Sequence, residues 1–463
     1  MSRAASPGEF SVRPRVVWTA LTVSAGLALV VCYAVGSQQL LLGDRHAGWL
    51  YPYIATFGVR SIGVALIAAA IATTMLAVLP RPDERNEWLV VGAWIVVGLV
   101  LQLLVRSLGS FSMTHVLLSD DANAFYRVTQ ITDLGSVLAE FGRARSDWPL
   151  HAQSNMPGKI MLLFALEVLS SRPAFLTWSI VALSSVGGAL MYVFVRNLFG
   201  DKAVGLFSLI LYLFVPARLF FLPLLNIVTP VMFLACACLV LRWLQTGNQW
   251  YAAAAGVAVY GLVFFEPLPL VMGVLFIALI ARSVVRRERL PSRLAIDTVA
   301  GALAFMASYL AMLLVFDFDL FDALRRITEH AVEFNINEGR PYAYWLSGNL
   351  REFVFGIGMG QAILFVVSLF SSLGAARTQP GVLMTPIGLL STSLALILLI
   401  TNLLGVNRGE VIRLWIFLAC FFQIPAAYLC ARLDNRFALI LVLSMTILQA
   451  AIAMAMIGFV VLP

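Results

Sequence analysis

Runs of about 20 apolar residues recur along this chain from Val16 to Leu462, with short polar segments between them. Such a run crosses a bilayer as a helix, because lipid offers no hydrogen-bond partner to an exposed backbone. Of the 463 residues, 61% are hydrophobic and 12% are charged, and the mean hydropathy is +0.92. A soluble domain carries roughly a quarter of charged residues. The sequence therefore predicts an all-α, polytopic membrane helix bundle with a single domain, 1–463, and excludes a cytosolic enzyme.

The boundaries of these runs predict about thirteen transmembrane spans. They cover 16–36, 54–79, 88–108, 174–196, 203–222, 224–244, 250–265, 267–284, 295–316, 352–374, 383–405, 411–431 and 437–461. Arginines 3, 13 and 15 place the N-terminus in the cytoplasm, and the absence of a cleavage-site pattern there predicts a retained anchor. Alternation then places two long polar segments, 109–158 and 317–351, outside. Because the composition is rich in arginine and poor in lysine, we expect a bacterial plasma membrane.

Each of the two external segments contains apolar residues at helical spacing. In the first they are Phe125, Val128, Ile131, Leu134, Leu138 and Phe141, and in the second Phe321, Leu324, Ile327, Ala331 and Phe334. We predict two amphipathic helices that lie on the outer membrane surface and flank a cleft open to lipid and water. Residues 159–171 are apolar but too short to span, which predicts an interfacial or half-inserted helix.

Three external carboxylates are candidate catalytic groups. Asp120 and Asp121 follow Ser119 directly after the third span, where they either cap a helix or supply a general base. Glu266 lies in a turn rich in Phe and Leu, and a carboxylate there is costly unless it faces a polar cavity or a cation.

The external polar residues also include candidates for binding a substrate. Arg408 and Arg413 run against the positive-inside rule, and a bound phosphate would explain them, whereas Lys159 is either a phosphate ligand or a lysine that snorkels to the interface. Tyr and Trp near 342–345 suit either an aromatic belt or contact with a sugar ring. The full set of candidate binding residues is His151, Asn155, Lys159, Arg218, Asn226, His330, Arg340, Tyr342, Trp345, Asn349, Arg408 and Arg413.

Neither a metal site nor a cofactor is predicted. The five cysteines lie in or beside apolar runs, and no group of His, Cys, Asp and Glu has the spacing of metal ligands. The net charge of +7 comes from basic residues at membrane edges, which usually report topology or contact with membrane lipids, so nucleic-acid binding is not expected.

Several segments resemble one family of membrane enzymes. SDDANAFYRVTQ (119–130) is similar to an acidic Asp-Asp or Asp-Glu motif that follows a span, and HAQSNMPGK (151–159) is similar to a His-Pro-Pro-x-Gly-Lys segment. YVFVRNLFGDKAVGLFSLILYLFVP (192–216) resembles a span, an RxLFG loop and a Pro-terminated span. These motifs are typical of the GT-C superfamily, including protein O-mannosyltransferases and lipid A aminoarabinose transferases. Two departures are Asn155 and Met156 in place of the first Pro, and Asn226 where relatives often carry an acid.

This resemblance implies a GT-C-like bundle and a glycosyltransferase whose donor is a polyprenyl-phosphate-linked sugar. The acceptor would be a hydroxyl of a cell-envelope glycan, lipid or protein outside the membrane, and the reaction would invert the anomeric centre. Asp120 or Asp121 would act as the base, and Lys159, Arg408 and Arg413 would hold the phosphate. The alternative is a transporter or flippase of lipid-linked saccharides. We favour the enzyme because the informative charges gather at the external edge and not at mid-membrane depth.

Overall fold

The computed structural model describes residues 12–139, 141, 148–433 and 435–460, and this part of the chain is almost entirely helical. Its α-helices are α1 (Pro14–Gly36), α2 (Val59–Val78), α3 (Glu87–Arg106), α4 (Met113–Leu118), α5 (Asp120–Asn123), α6 (Phe125–Ile131), α7 (Leu134–Ala139), α8 (Leu150–Gln153), α9 (Gly158–Glu167), α10 (Pro173–Phe199), α11 (Lys202–Leu213), α12 (Pro216–Phe220), α13 (Thr229–Thr246), α14 (Gln249–Phe265), α15 (Gly273–Val285), α16 (Pro291–Phe316), α17 (Leu320–Asn337), α18 (Tyr342–Ile357), α19 (Met359–Ala376), α20 (Pro386–Leu404), α21 (Val411–Leu414), α22 (Ile416–Arg432) and α23 (Arg436–Met456). One small antiparallel hairpin pairs β1 (Gly43–Asp44) with β2 (Trp49–Leu50).

The prediction of a polytopic helix bundle is confirmed in its coarse form. Within the described residues, 11 helical segments are long and apolar enough to cross a membrane, and two shorter apolar helices, α14 and α22, have 17 residues each. Each of the thirteen predicted spans overlaps one of these helices.

The interior of the bundle is built around α22. Nearly every residue of this helix is buried, as expected for a helix that is apolar on all sides. It packs against α11, α13, α19 and α20. In contrast, α16 buries only Leu294 and Asp297 of its 26 residues and therefore lies at the periphery, where its apolar side chains suit contact with lipid.

Two predicted elements differ from the structure. The predicted span 352–374 begins instead at Met359, because residues up to Ile357 belong to α18, and Gly358 with φ of +92° ends that helix. The first predicted surface helix is two short helices, α6 and α7. They are separated at Thr132 and Asp133, where the Asp133 carboxylate accepts hydrogen bonds from Ser136.

The second predicted surface helix is continuous. The Asp319 carboxylate caps α17, and Leu320, Ala323 and Ile327 are among its buried residues, whereas Phe321 is exposed outside the bundle. The position of its apolar face in the membrane surface stays a prediction. The short apolar segment from residue 159 forms α9, which is too short to span a bilayer, as predicted.

Candidate functional site

Segments 109–158 and 317–351 and the loop before α21 contribute residues to a cavity of about 540 Å³. Five predicted site residues line it: Asp120, Asp121, His151, Arg340 and Arg413. They come from α5, α8, the turn before α18, and α21, which lie far apart in the sequence. Apolar residues such as Phe221, Leu224 and Phe459 complete the wall. The fold therefore brings carboxylates and arginines together in one partly apolar chamber.

A second cavity of about 150 Å³ adjoins the first. The two share Leu150, His151, Phe334, Arg340, Glu410 and Arg413, so these side chains form a partition between them. Four further predicted residues line only the second cavity: Asn155, Glu266, His330 and Arg408.

Glu410 is the centre of this partition. Its Oε1 accepts a hydrogen bond from Arg340 Nη2 at 2.9 Å, and its Oε2 forms an ion pair with Arg413. Burial alone would raise the pKa of the Glu410 carboxyl, but Arg413 and Arg340 hold that pKa below its ordinary value. One buried carboxylate thus orients two arginines and neutralises half of their charge.

Beside Glu410, the side chains of Arg340 and Arg408 each form a hydrogen bond to the backbone of the other residue. The Arg340 guanidinium donates to the carbonyl of Arg408, and Arg408 donates to the carbonyl of Arg340, both at 2.9 Å. Arg340 also stacks over the Trp49 ring, with 5.4 Å to the centroid. Arg340 is therefore held by Glu410, by the carbonyl of Arg408 and by the Trp49 ring. The Arg408 side chain instead donates hydrogen bonds to backbone carbonyls.

His151 lies beside Arg413 in its neutral form. Burial and the positive charge of Arg413 lower the pKa of His151 to about 4. Its Nε2 lies 3.5 Å from Arg413 Nη1, where a neutral imidazole offers an acceptor. The partition consequently carries no third positive charge near neutral pH.

The acidic pair lies at the rim of the larger cavity, where it also borders an open groove of about 1100 Å³. Ser119 caps the short helix here, since its Oγ accepts from the Ala122 N–H at 3.3 Å. Asp120 Oδ2 lies 2.8 Å from Arg127 Nη1. Asp121 is exposed and forms no ion pair with any residue that the structure describes. The capping interpretation is confirmed for Ser119, and a catalytic role for either acid stays a prediction.

Lys159 and Glu266 neutralise each other. The Lys159 side chain is only 1% exposed, and its Nζ pairs with Glu266 and donates to Asn155 Oδ1 at 2.7 Å. The interpretation of Lys159 as a snorkelling side chain is therefore wrong, because the ammonium lies inside the protein. Glu266 was expected to face a cation or a polar cavity, and it both pairs with Lys159 and lines the smaller cavity. Since its charge is compensated, Lys159 is a poor candidate for a phosphate ligand.

Arg218 and Asn226 line neither cavity in the described part of the chain. Arg218 is fully buried and donates to Gln102 Oε1 at 3.0 Å and to Ser184 Oγ at 2.6 Å. These bonds join α12 to α3 and α10 in the bundle interior. Asn226 lies in a 3₁₀ turn before α13. Their positions do not support contact with a substrate in either chamber.

Three aromatic and amide candidates of α18 also point elsewhere. Tyr342 donates its hydroxyl to the carbonyl of Leu403, and the Trp345 indole donates to the carbonyl of Ala47. Asn349 is 1% exposed and bonds to the backbone of the loop before α21. These side chains hold neighbouring segments in place, and none lines the two cavities in the described structure.

The residues of the larger cavity that sequence reasoning missed include Trp49, Tyr51, Glu338 and Glu410. Trp49 and Tyr51 come from the hairpin between the first two spans, a segment whose aromatic content was the available signal. Glu410 lies between Arg408 and Arg413 in the sequence, but nothing in the sequence pairs it with Arg340.

Among the described residues, no group of three or more His, Cys, Asp or Glu is arranged to hold a metal ion. A comparison with family models finds no match for this chain, and a search among curated proteins finds no significant match either.

Proposed function

We propose that this protein is a GT-C-type glycosyltransferase that moves a sugar from a polyprenyl-phosphate donor to a hydroxyl of a cell-envelope glycan, lipid or protein outside the membrane. One observation carries the proposal: a single chamber gathers Asp120, Asp121, Arg340 and Arg413. The transfer requires those two chemistries together, a carboxylate to accept a proton and cations to stabilise a leaving phosphate.

The proposed step has three parts. The acceptor hydroxyl loses its proton to an aspartate as its oxygen forms a bond to the anomeric carbon. The bond from that carbon to the phosphate oxygen breaks from the opposite face, and the lipid phosphate leaves with the electron pair, which inverts the centre. Arg340 and Arg413 hold the phosphate, because both line the chamber and Glu410 fixes their direction. Lys159 is left out of this role because Glu266 already pairs with it.

Asp120 is our first choice for the base, since it matches the first acid of the motif and Arg127 orients its carboxylate. Asp121 is the second choice, because it is exposed at the same rim. The base is expected to contribute about 100-fold or more to turnover.

The test uses purified protein in nanodiscs with radiolabelled polyprenyl-phosphate sugars and a crude envelope extract as acceptor. We expect release of polyprenyl phosphate by the wild type and a loss of about 100-fold in Asp120→Asn or Asp121→Asn. Asp133→Asn is the matched control, because Asp133 is an exposed, helix-capping acid of the same segment that lines neither cavity in the described structure. Wild-type turnover in both rim variants would leave capping as their sufficient role, and transport of the lipid without sugar transfer would favour a flippase.

A further inference from the structure

Two side chains of α18 form hydrogen bonds to the backbone of the loop before α21. Asn349 accepts a hydrogen bond from the Gly409 N–H at 3.0 Å and donates to the carbonyl of Asn407 at 2.9 Å. One turn later, Glu352 Oε2 accepts from the Val411 N–H at 3.0 Å. Asn349 and Glu352 are 1% and 0% exposed, so both are dedicated to the protein interior.

The backbone that these bonds hold has an unusual shape. Gly409 and Glu410 have φ values of +82° and +59°, and the second is strained for a residue with a side chain. A Cβ on Gly409 would lie 2.9 Å from the Trp345 ring, so the loop also rests closely on α18. Strained backbone persists only when its surroundings hold it. This backbone conformation directs the Glu410 carboxylate towards both Arg340 and Arg413.

We propose that Asn349 and Glu352 are positioning residues of the site: they hold residues 407–411 so that Glu410 aims Arg340 and Arg413 at an anionic group of the substrate. The identification of that group as a lipid-linked phosphate rests on the proposed function. The positioning itself rests on the hydrogen bonds alone.

The Glu352 side chain acts in this arrangement as a neutral acid. Burial, followed by the negative charge of Glu410, raises its pKa to about 8 against the backbone bond from Val411 and the charges of Arg351 and Arg340. The Tyr51 phenol is a further titratable neighbour, and burial raises its pKa as well. Glu352 Oε1 is buried without a hydrogen-bond partner among the described residues, as suits a protonated carboxyl better than a carboxylate.

The raised pKa of Glu352 makes opening of the loop depend on pH. If the loop opens and water reaches Glu352, the pKa of its carboxyl returns to the ordinary value. The open form therefore loses a proton that the closed form keeps up to about pH 8. The equilibrium constant for opening therefore rises with pH, starting at the ordinary carboxyl pKa of about 4.5. It rises by up to about tenfold per pH unit and becomes constant above about pH 8.

Hydrogen–deuterium exchange of the full-length protein in nanodiscs measures this opening directly. At pH 7 we expect the Val411 amide to exchange about tenfold faster in Glu352→Ala, and the Gly409 amide to do so in Asn349→Ala. Glu352→Gln keeps a neutral acceptor and should exchange no faster than the wild type. The matched control is Gln449→Ala, because Gln449 is equally buried and binds the backbone of Phe355 and Met359 without touching the loop.

The pH series provides the second readout. After correction for intrinsic exchange, loop opening in the wild type should increase between pH 5 and 8, and in Glu352→Gln it should not. Unchanged Val411 exchange in Glu352→Ala, or the same pH response in Glu352→Gln, would overturn the proposal.

Binding of undecaprenyl phosphate separates this inference from the proposed function. If the wild type binds it and Glu352→Ala binds at least tenfold more weakly while Gln449→Ala does not, positioning of the arginines is supported. If the exchange results hold but the wild type does not bind it, the positioning stands and the assignment to a lipid-linked phosphate fails. Wild-type affinity in Glu352→Ala, together with a loosened loop, would contradict the claim that the loop aims the arginines.

Discussion

At the scale of single residues, Arg340 and Arg413 are predicted to carry the binding of the phosphate. Arg413→Gln or Arg340→Gln should lower turnover by about 2–4 kcal/mol of transition-state stabilisation, because a desolvated phosphate loses a charged donor. Turnover and melting temperature are to be measured together in nanodiscs. Arg325→Gln is the control, since Arg325 is an exposed arginine on α17 whose ion pairs lie on the surface. Near-normal turnover in both site variants would show that the phosphate is held elsewhere.

The sequence indicated these residues by type but not by partner. External arginines and a carboxylate in an apolar turn are conspicuous because a bilayer makes charges costly, whatever the fold. Their pairing depends on tertiary structure: Lys159 meets Glu266 across 107 positions, and Arg340 meets Glu410 across 70. No local pattern encodes such distances. The sequence therefore predicted which side chains need an explanation, and the fold supplied the explanation for Lys159, Trp345 and Asn349.

At the scale of elements, the long spans were predictable, and the interruptions within two predicted helices were not. A span is determined by its length and hydropathy alone. In contrast, 125–141 keeps helical spacing across the Thr132–Asp133 break, and 352–374 stays apolar across Gly358, so neither interruption changes the periodicity. The start of α7 is set by the Asp133 carboxylate and the end of α18 by a glycine with positive φ, and each acts on only one or two residues.

The break at Gly358 gives a prediction at this scale. Gly358→Ala should destabilise the protein by about 1–2 kcal/mol, because φ is +92° and a side chain there is strained. Gly374→Ala is the matched control: Gly374 lies within α19, and apart from its chain neighbours and the nearby backbone of that helix, no described atom comes within 4 Å of an added Cβ. That change should be neutral or stabilising by up to about 1 kcal/mol. Denaturation in detergent measures both, and equal stability of the two variants would contradict the strained role of Gly358.

At the scale of the whole molecule, contacts between loops group the polar segments into two sets. Glu87 at the start of α3 pairs with Arg196 near the end of α10 and with Lys202 at the start of α11, so these helix ends and their loops lie at one end of the bundle. Arg436 donates to the carbonyl of Leu76 near that end. Segments 109–158 and 317–351 and the loop before α21 meet instead at the cavities. This grouping agrees with the alternation that the sequence predicts, in which the first set of loops is cytoplasmic and the second external.

The compartment that each end faces is predicted from the charge bias and can be tested by labelling. The native cysteines are buried except for Cys238, which is partly buried, so new cysteines can be labelled selectively once Cys238 has been replaced by serine. Glu329→Cys, on the exposed face of α17, should react in intact cells with a membrane-impermeant maleimide, whereas the exposed position Arg286→Cys should react only after permeabilisation. Glu329→Cys lies near the proposed site and Arg286→Cys near the predicted cytoplasmic end. Labelling of Arg286→Cys alone in intact cells would place the cavities in the cytoplasm, where a donor delivered outside the membrane could not reach the proposed site.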